Sequence, residues 1–541
     1  METTPHLNPP PSTECRGGSW ISCQAGLRYR HATVVTICIL AVAARLILIN
    51  QPYVDHWSWR QSDVAAIAAN FLQNGFRFGF PQIDWAGNAP GYVGTEFPIL
   101  PFIAALCYKV AGIHEWVGRI QAVIFFAVSL PCFFWLVRET FGRTAAVWAT
   151  FFYSFAPLNV FAGRSFMPDV PSLSLAIVGL YFFLRWTNDH NRMQFSFAAI
   201  AISFSLLIKI TSMVIVAPLL YLVVGRLCQT PGISQNGAAG MRATSTGSSL
   251  ERVNGSERVK RPTIYGGALF AAIALLPSAI WYWHAYQVAQ KFYPHHFFGA
   301  GGIQIENFSW YWHIARETAI SSLTPILSLM ALVGLFVPQP RDRKYSRLFY
   351  WWLVAMVLFI IVVGYGNRHL WYQLPLVPIA ATFAGAACAF IGSKVSSRVV
   401  AVAFSILLVS SFTISAFWYL YPFYQSSAQL RDAGLELKRV TAPDTLIVAA
   451  DMGDPTIFYY AQRKGWHFLE NDAIYNGNPD DSQQAINDLE RLHRRGATHF
   501  VFTRNTFWWL QSYPEFAQYL VQNATPVEAT PEFKIYRLTE R

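Results

Sequence analysis

The chain has 541 residues, 53% hydrophobic, 16% aromatic and only 13% charged, with a formal charge of +11. So apolar a composition excludes an ordinary soluble globular protein and points to a membrane. The positive charge would suit nucleic acid, but it sits in short loops between apolar runs, where it sets membrane topology, so no nucleic-acid partner is expected.

Residues 1–32 hold Pro, Ser, Gly and several Arg without a compact apolar stretch or a small-residue cleavage pattern. They are expected to be a cytoplasmic tail before a retained first helix, not a signal peptide. Apolar runs follow near 33–50, 97–113, 120–137, 144–161, 170–186, 195–208, 212–225, 264–283, 318–337, 348–365, 371–391 and 399–421. Most approach the roughly 18 to 20 residues that cross a hydrocarbon core as helix. The run at 97–113, "FPILPFIAALCYKVAGI", carries two prolines in its first turns and Lys109 near its end, which suits a helix lying in the interface. With that run not spanning, the loops at 138–143, 185–194, 226–262, 338–347 and 392–398 share one side and hold 16 Lys and Arg. The opposite loops hold 5, and the positive-inside rule puts the richer set in the cytoplasm. The fold class expected is therefore a polytopic α-helical membrane protein with about eleven transmembrane helices plus interfacial helices. The runs at 195–208 and 212–225 are short and read as a hairpin of tilted helices.

The region 33–421 forms the membrane part, with a first outer loop at 51–117. Residues 226–262, rich in Gly, Ser and Arg, read as a flexible cytoplasmic loop. From 422 to 541 amphipathic helices alternate with short β-branched strands, the pattern of a soluble C-terminal α/β domain. This part holds 15 acidic residues against 12 Lys and Arg, and an odd number of spans places it outside. The seven cysteines lie mostly in or beside apolar runs and suggest neither a disulfide framework nor a zinc site.

The first outer loop opens with "DHWSWRQSD" at 55–63. Three carboxylates lie tightly against a span or interfacial helix: Asp55 after the first run, Glu96 before "FPILP", and Asp169 in "GRSFMPDVPSLSL". Helix capping would account for Asp169, and Ser62 with Asp63 reads as the cap and first turn of an amphipathic helix carrying Ile67, Phe71 and Leu72, stopped at Gly75. The basic residues of the same layer are Arg45, Arg60, Arg164, Lys209, Arg368 and His369. Each alone is explained by snorkelling; together they make an anionic-ligand site. Carboxylates beside a phosphate cradle suit transfer of a group carried on a lipid phosphate. Asp55 is the expected base, with Glu96 and Asp169 positioning the acceptor, and Arg60, Lys209 and Arg368 on the donor phosphate backed by Arg45 and His369. "KFYPHHFFGAGG" at 291–302 reads as an aromatic interfacial segment with a mobile glycine end, and Trp371 and Tyr372 as an aromatic belt. Asp451 and Asp454 in "AADMGDP" read as strand-end turn residues.

The segments "TEFPILPFIAALCYKVAG", "GRIQAVIFFAVSL", "RETFGRTAA", "GRSFMPDVPSLSL", "LLIKIT" and "RHLWYQLPLVPIAA", in order between residues 95 and 381, resemble the GT-C class of polyprenyl-phosphate-sugar-dependent glycosyltransferases. Within that class the resemblance is to the aminoarabinose transferase and protein mannosyltransferase-like groups. The resemblance implies a multi-pass protein of the bacterial inner (plasma) membrane with its C-terminal domain extracytoplasmic. It would take a polyprenyl-phosphate-linked sugar as donor, a lipid, glycan or protein as acceptor, and membrane lipids as surroundings. By resemblance Asp55, Glu96 and Asp169 match the family's acidic residues of the outer loops. Where members commonly show Asp-Glu, this chain has Asp55 followed by His56. A divalent cation (Mg, Mn or Zn) is a candidate cofactor, with Asp55 and Asp169 its candidate ligands. A lipid-linked oligosaccharide ligase and a membrane transporter are the alternative functions.

Overall fold

The computed structural model describes residues 20–227, 255–292, 303–338, 343–424, 428–471 and 474–539. Helices α1 (Trp20–Leu46), α2 (Ser58–Gln73), α3 (Ile99–Ala111), α4 (Glu115–Phe141), α5 (Arg143–Phe155), α6 (Pro157–Ala162), α7 (Asp169–Asp189) and α8 (Arg192–Ile208) make the first half. They are followed by α9 (Val216–Leu227), α10 (Gly255–Phe292), α11 (Phe308–Glu317), α12 (Pro325–Leu335), α13 (Leu348–Val363), α14 (Leu376–Lys394) and α15 (Arg398–Tyr424). Among the described residues, five helices are long and apolar enough to cross a membrane, or six if the pair α11 and α12, bent by 111°, forms one broken span.

Local chemistry explains where helices and apolar runs diverge. The run at 144–161 is two helices, because Pro157 has no amide hydrogen and holds Ala156 extended (φ −58°, ψ 132°). The run at 212–225 opens with a 3₁₀ turn, Ile210–Ile215, before α9. Helix α10 begins at Gly255, inside the stretch expected to be loop; residues 228–254 of that loop lie outside the described residues. The segment 293–302, holding most of "KFYPHHFFGAGG", does too. Helix α3 has 13 residues, about 20 Å at 1.5 Å each, too short to cross a roughly 30 Å core alone. Helix α2 corrects the expected cap. It starts at Ser58, four residues before Ser62, whose hydroxyl donates back to the Ser58 carbonyl (2.8 Å). It ends at Gln73, with Asn74 as the C-cap and Gly75 following at φ +86°.

The main helical core joins α4, α5, α7, α8 and α14 through buried residues such as Phe126, Phe133, Phe152, Leu180 and Phe383. Beyond α15 the chain forms α16 (Gln429–Val440), α17 (Thr456–Ala461), α18 (Ser482–Arg494), α19 (Trp509–Ser512) and α20 (Pro514–Asn523) around a five-stranded sheet. Its strands are β1 (Leu446–Ala450), β2 (Lys464–His467), β5 (Ala497–Thr503), β6 (Ala524–Ala529) and β7 (Phe533–Leu538), in the order β2-β1-β5-β7-β6. A separate short ladder pairs β3 (Glu470–Asn471) with β4 (Ile474–Tyr475). The β2-β1-β5 strands are parallel, linked through α17 and α18, while β7 and β6 close the edge as antiparallel strands. Helix α2 docks on this unit: Ile67 and Phe71 bury with Leu430, Leu437 and Ile457 in one apolar cluster. The amphipathic face read from the sequence is thus a domain contact.

Candidate active site

Lys209 terminates α8. Its backbone turns extended (φ −156°, ψ 112°), and its amide still donates to Ser205 (3.0 Å). Two contacts fix what Lys209 meets. The Ser172 hydroxyl donates to the Ser205 carbonyl (2.7 Å) and lies 2.6 Å from the Ser212 hydroxyl, clamping the first turn of α7 onto the end of α8. That clamp brings the Asp169 carboxylate against the Lys209 ammonium as a buried ion pair. On the other side the Phe97 amide donates to Leu207 (3.2 Å) and the Trp281 indole donates to Thr95 (3.1 Å), holding residues 95–97 beside the same helix end.

Glu96 enters from that strip. It accepts from the Arg60 guanidinium (2.9 Å) and from the Thr95 hydroxyl (2.9 Å). Arg60 also binds Asp63, one turn on along α2, at 2.5 Å. Burial alone would raise the Glu96 carboxyl, but Arg60 and Lys209 outweigh it and hold it down at about 2. The carboxylates of Glu96 and Asp63 push the Arg60 guanidinium further up despite its burial, so both partners stay charged. Lys209 lies over the Tyr372 ring at 4.3 Å. His369 stacks on Trp371 (4.4 Å, 13°) and leans on Trp59 (5.6 Å). Desolvation of the ring face stacked on these aromatics, then Arg368, Lys209 and Arg60, holds the imidazole of this otherwise exposed residue down at about 4. The structure thus brings Glu96, Asp169, Arg60 and Lys209 together, with His369 and Arg368 at their edge and Asp63 as an added member. Asp169 Oδ2 and Asp63 Oδ1 are buried without a hydrogen-bond partner.

Asp55 and Arg45 are placed elsewhere. The Asp55 side chain is 0% exposed, and one oxygen accepts from Arg119 (3.1 Å) and Arg164 (3.5 Å), themselves fully buried. Its other oxygen accepts from the Gln61 amide (2.7 Å) and the Trp57 backbone (3.2 Å). With both oxygens engaged by two guanidiniums, a side-chain amide and a backbone N–H, Asp55 has no lone pair left to face an acceptor hydroxyl, so its expected role meets a geometric obstacle. Arg45, expected behind the donor phosphate, is buried on the Phe126 ring and donates to the Ala41, Ser154 and Asn159 carbonyls, pinning α1 to α5 and α6. His369 with its lowered pKa is neutral at pH 7 and offers an N–H in place of a charge. Trp371, read as part of an aromatic belt, is 4% exposed and packs on Trp57 (5.3 Å). Sequence reasoning missed Arg119 as a partner of Asp55; a lone cation five residues into an otherwise apolar helix was the signal available. Among the described residues no three or more His, Cys, Asp or Glu side chains converge as a metal-binding group, and of the two candidate ligands Asp55 has both oxygens engaged while Asp169 keeps Oδ2 free.

Asp454 accepts from the Ser58 hydroxyl (3.1 Å) and from the Thr456 amide (2.9 Å), and the Ser62 and Thr456 hydroxyls lie 2.9 Å apart. These bonds fasten the start of α2 to the start of α17. Burial pushes the Asp454 carboxyl up to about 6. Asp451 pairs with His467 (2.9 Å) inside the C-terminal unit, so both residues do more than end a strand.

Helical layers with this charged cluster and a docked α/β unit have the fold of the GT-C glycosyltransferases. Residues 95–241 match the family described as dolichyl-phosphate-mannose-protein mannosyltransferase. Among solved structures the chain is similar to apo ArnT from Cupriavidus metallidurans, at 14% identity and a TM-score of 0.62, over 93% of this chain and 97% of that one. ArnT bound to undecaprenyl phosphate matches over the same shares with a TM-score of 0.58 and 14% identity. The oligosaccharyltransferase AglB from Archaeoglobus fulgidus, in complex with an inhibitory peptide and a dolichol-phosphate, matches at 13% identity and a TM-score of 0.57, over 96% of this chain and 75% of that one. No curated protein matches the chain by sequence. At such identities the solved structures establish the fold, and together with the family match they support the GT-C resemblance read from the sequence.

Proposed function

We propose that the chain is an integral-membrane glycosyltransferase that moves a sugar from a polyprenyl-phosphate donor to a lipid, glycan or protein acceptor at the outer face of the bacterial inner membrane. In this reading residues 33–421 form the catalytic membrane domain with eleven spans, α3 lies in the interface, and residues 422–541 form the extracytoplasmic domain. The observation that carries it is the buried network in which Arg60 and Lys209 alternate with Glu96, Asp63 and Asp169 within this fold. Undecaprenyl phosphate in ArnT and dolichol-phosphate in AglB support a lipid phosphate as the carrier.

The reaction is written as one in-line displacement. The acceptor hydroxyl oxygen bonds to the anomeric carbon as the bond from that carbon to the phosphate oxygen breaks, and its electron pair leaves on the polyprenyl phosphate. The hydroxyl proton passes to Asp169, whose Oδ2 is unpartnered and whose other oxygen is held by Lys209. Lys209, Arg60 and Arg368 meet the charge developing on the phosphate, and neutral His369 donates from its ring. Glu96 keeps Arg60 aimed, and Asp55 is a positioning residue that fixes the entry to α2. Such a displacement inverts the anomeric centre. A lipid-linked oligosaccharide ligase is the second reading, favoured by the AglB match, and differs in the size of the donor.

The test is donor turnover by the purified full chain, with polyprenyl-phosphate-linked sugars and a membrane-lipid extract as acceptor. Wild type is expected to release polyprenyl phosphate, and folded Asp169→Asn to lose about a hundredfold or more in rate. A wild-type protein that binds such donors without ever cleaving one would overturn the reading in favour of transport.

A further inference from the structure

A cavity lies away from the charged network. About 300 Å³ of space is enclosed between the last turns of α2, the loop that carries Asp84, and the edge of the C-terminal sheet where β1 starts and α17 leads into β2. Its walls belong to two different parts of the chain, yet they are locked together by backbone. The Gly465 amide donates to the Asp84 carbonyl (3.0 Å), and the Gly87 amide donates to the Gly465 carbonyl (2.7 Å), so the loop lies along β2 like an additional strand. This approach requires glycine in the loop: a Cβ on Gly87, which has φ +62°, would fall 2.0 Å from the Trp466 ring. The cavity is therefore preformed, as small-molecule sites usually are.

Its lining is chemically mixed. Gln73, Asn74 and Gln462 present amides, Asp84 and Asp444 carboxylates, Lys464 an ammonium and Arg463 a guanidinium. The Asp84 carboxylate is held by the Asn70 amide (2.8 Å), and burial lifts it to about 6 against the pull of Asn70 and Lys464. The Gln73 and Gln462 amides offer a donor and an acceptor together, the pattern that vicinal hydroxyls satisfy, while Asn74 donates to Asn70 (2.8 Å) and Gln82 (3.0 Å) and has its oxygen left to accept; two carboxylates against two cations leave the wall without net charge, which suits a neutral ligand. Asn70 stands ten residues beyond Arg60 on α2, about 15 Å along the helix, so one sugar ring cannot occupy both sites.

We infer that this cavity binds a neutral sugar of an extended acceptor glycan, holding it between α2 and the C-terminal domain while another part of the same glycan reaches the charged network. The purpose of the site rests on the glycosyltransferase reading, but binding is measured without donor, so the two fail separately.

The experiment uses the full chain in detergent and saturation-transfer NMR with neutral oligosaccharides of glucose, mannose, galactose and N-acetylglucosamine as probes. Wild type is expected to bind at least one of them. Ala69→Trp, which fills the cavity, is expected to abolish that binding, and Asn74→Ala, at an exposed position, to weaken it about fivefold through loss of hydrogen bonds. In turnover assays both variants raise the acceptor KM and leave acceptor-independent donor hydrolysis unchanged. Absence of binding by wild type, equal binding by wild type and both folded variants, or preference for inorganic phosphate over every neutral sugar overturns the inference. Sugar binding without any donor turnover by wild type retains the site and overturns the glycosyltransferase reading.

Discussion

Replacing Asp55 by Asn separates a positioning residue from a catalytic one. The substitution keeps an oxygen for the Gln61 amide and the Trp57 backbone but withdraws the negative charge facing Arg119 and Arg164, whose side chains are 0% exposed. Removing one partner of a buried ion pair costs about 3–5 kcal/mol, because the remaining charge is left desolvated and unpaired. Here two guanidiniums lose their counter-charge, which sets the expectation at the upper end, a large fraction of the roughly 5–15 kcal/mol that holds a typical domain folded. Asp169→Asn is expected to cost less, since Lys209 keeps Glu96 as a neighbouring charge, while donor turnover falls about a hundredfold or more. The assay pairs intrinsic tryptophan melting curves in detergent with turnover per folded molecule. A triple variant that also carries Arg119→Gln and Arg164→Gln should recover much of the lost stability, because the uncompensated charges are gone. An Asp55→Asn protein that melts with wild type yet turns over no donor would refute this reasoning and return Asp55 to the role of base.

The carboxyl of Asp454 has its folded pKa raised by burial to about 6 from an ordinary 3.8, so its penalty is absent below the lower value, grows as pH rises between the two, and is complete above the upper. Asp454→Asn should therefore be at least as stable as wild type at pH 7 and no more stable than wild type near pH 4; melting curves across that window check it, and a variant less stable at pH 7 would contradict it. For His369, held down at about 4, ring resonances in NMR should show no titration near pH 6.5, and His369→Asn should leave the shape of the pH–rate profile unchanged. Gly87→Ala places a side chain at φ +62° and into the Trp466 ring, so hydrogen exchange in residues 84–87 should accelerate and the melting point should fall; unchanged exchange would count against the backbone lock.

Periodicity and charge carried the helical nature of 33–421 and the helix–strand alternation after it, because apolar runs and amphipathic helices report burial directly. The meeting of Glu96, Asp169, Arg60 and Lys209 was legible in outline, since the sequence sets each of them beside an apolar run or interfacial helix. Pairing was not legible. Asp55 and Arg119 are 64 positions apart, and nothing in "DHWSWRQSD" distinguishes a carboxylate facing two buried arginines from one facing solvent. Arg45 looked like a phosphate ligand because position alone cannot tell a guanidinium that reaches backbone carbonyls from one that reaches a ligand. The start of α2 moved for a related reason: Ser62 has the chemistry of a cap, but tertiary contacts with Thr456 and Asp454 let the helix begin a turn earlier.

That displacement gives the nine-residue segment its logic. Helical spacing sends Ser58 and Ser62, four apart, to the C-terminal domain, while Arg60 meets Asp63, three residues on, and Glu96. Gln61 turns to Asp55, which itself holds Arg119 and Arg164, and Trp57 and Trp59 pack on Trp371. One turn and a half of chain is thus bonded to the membrane core, to the charged network and to the sheet domain at once. A rotation of α2 that improved any one of these contacts would break the others, so the aim of Arg60 is set by the docking of the C-terminal domain as much as by Glu96. Loosening the Ser58–Asp454 bond should accordingly be felt at Arg60, without any contact between Asp454 and the donor.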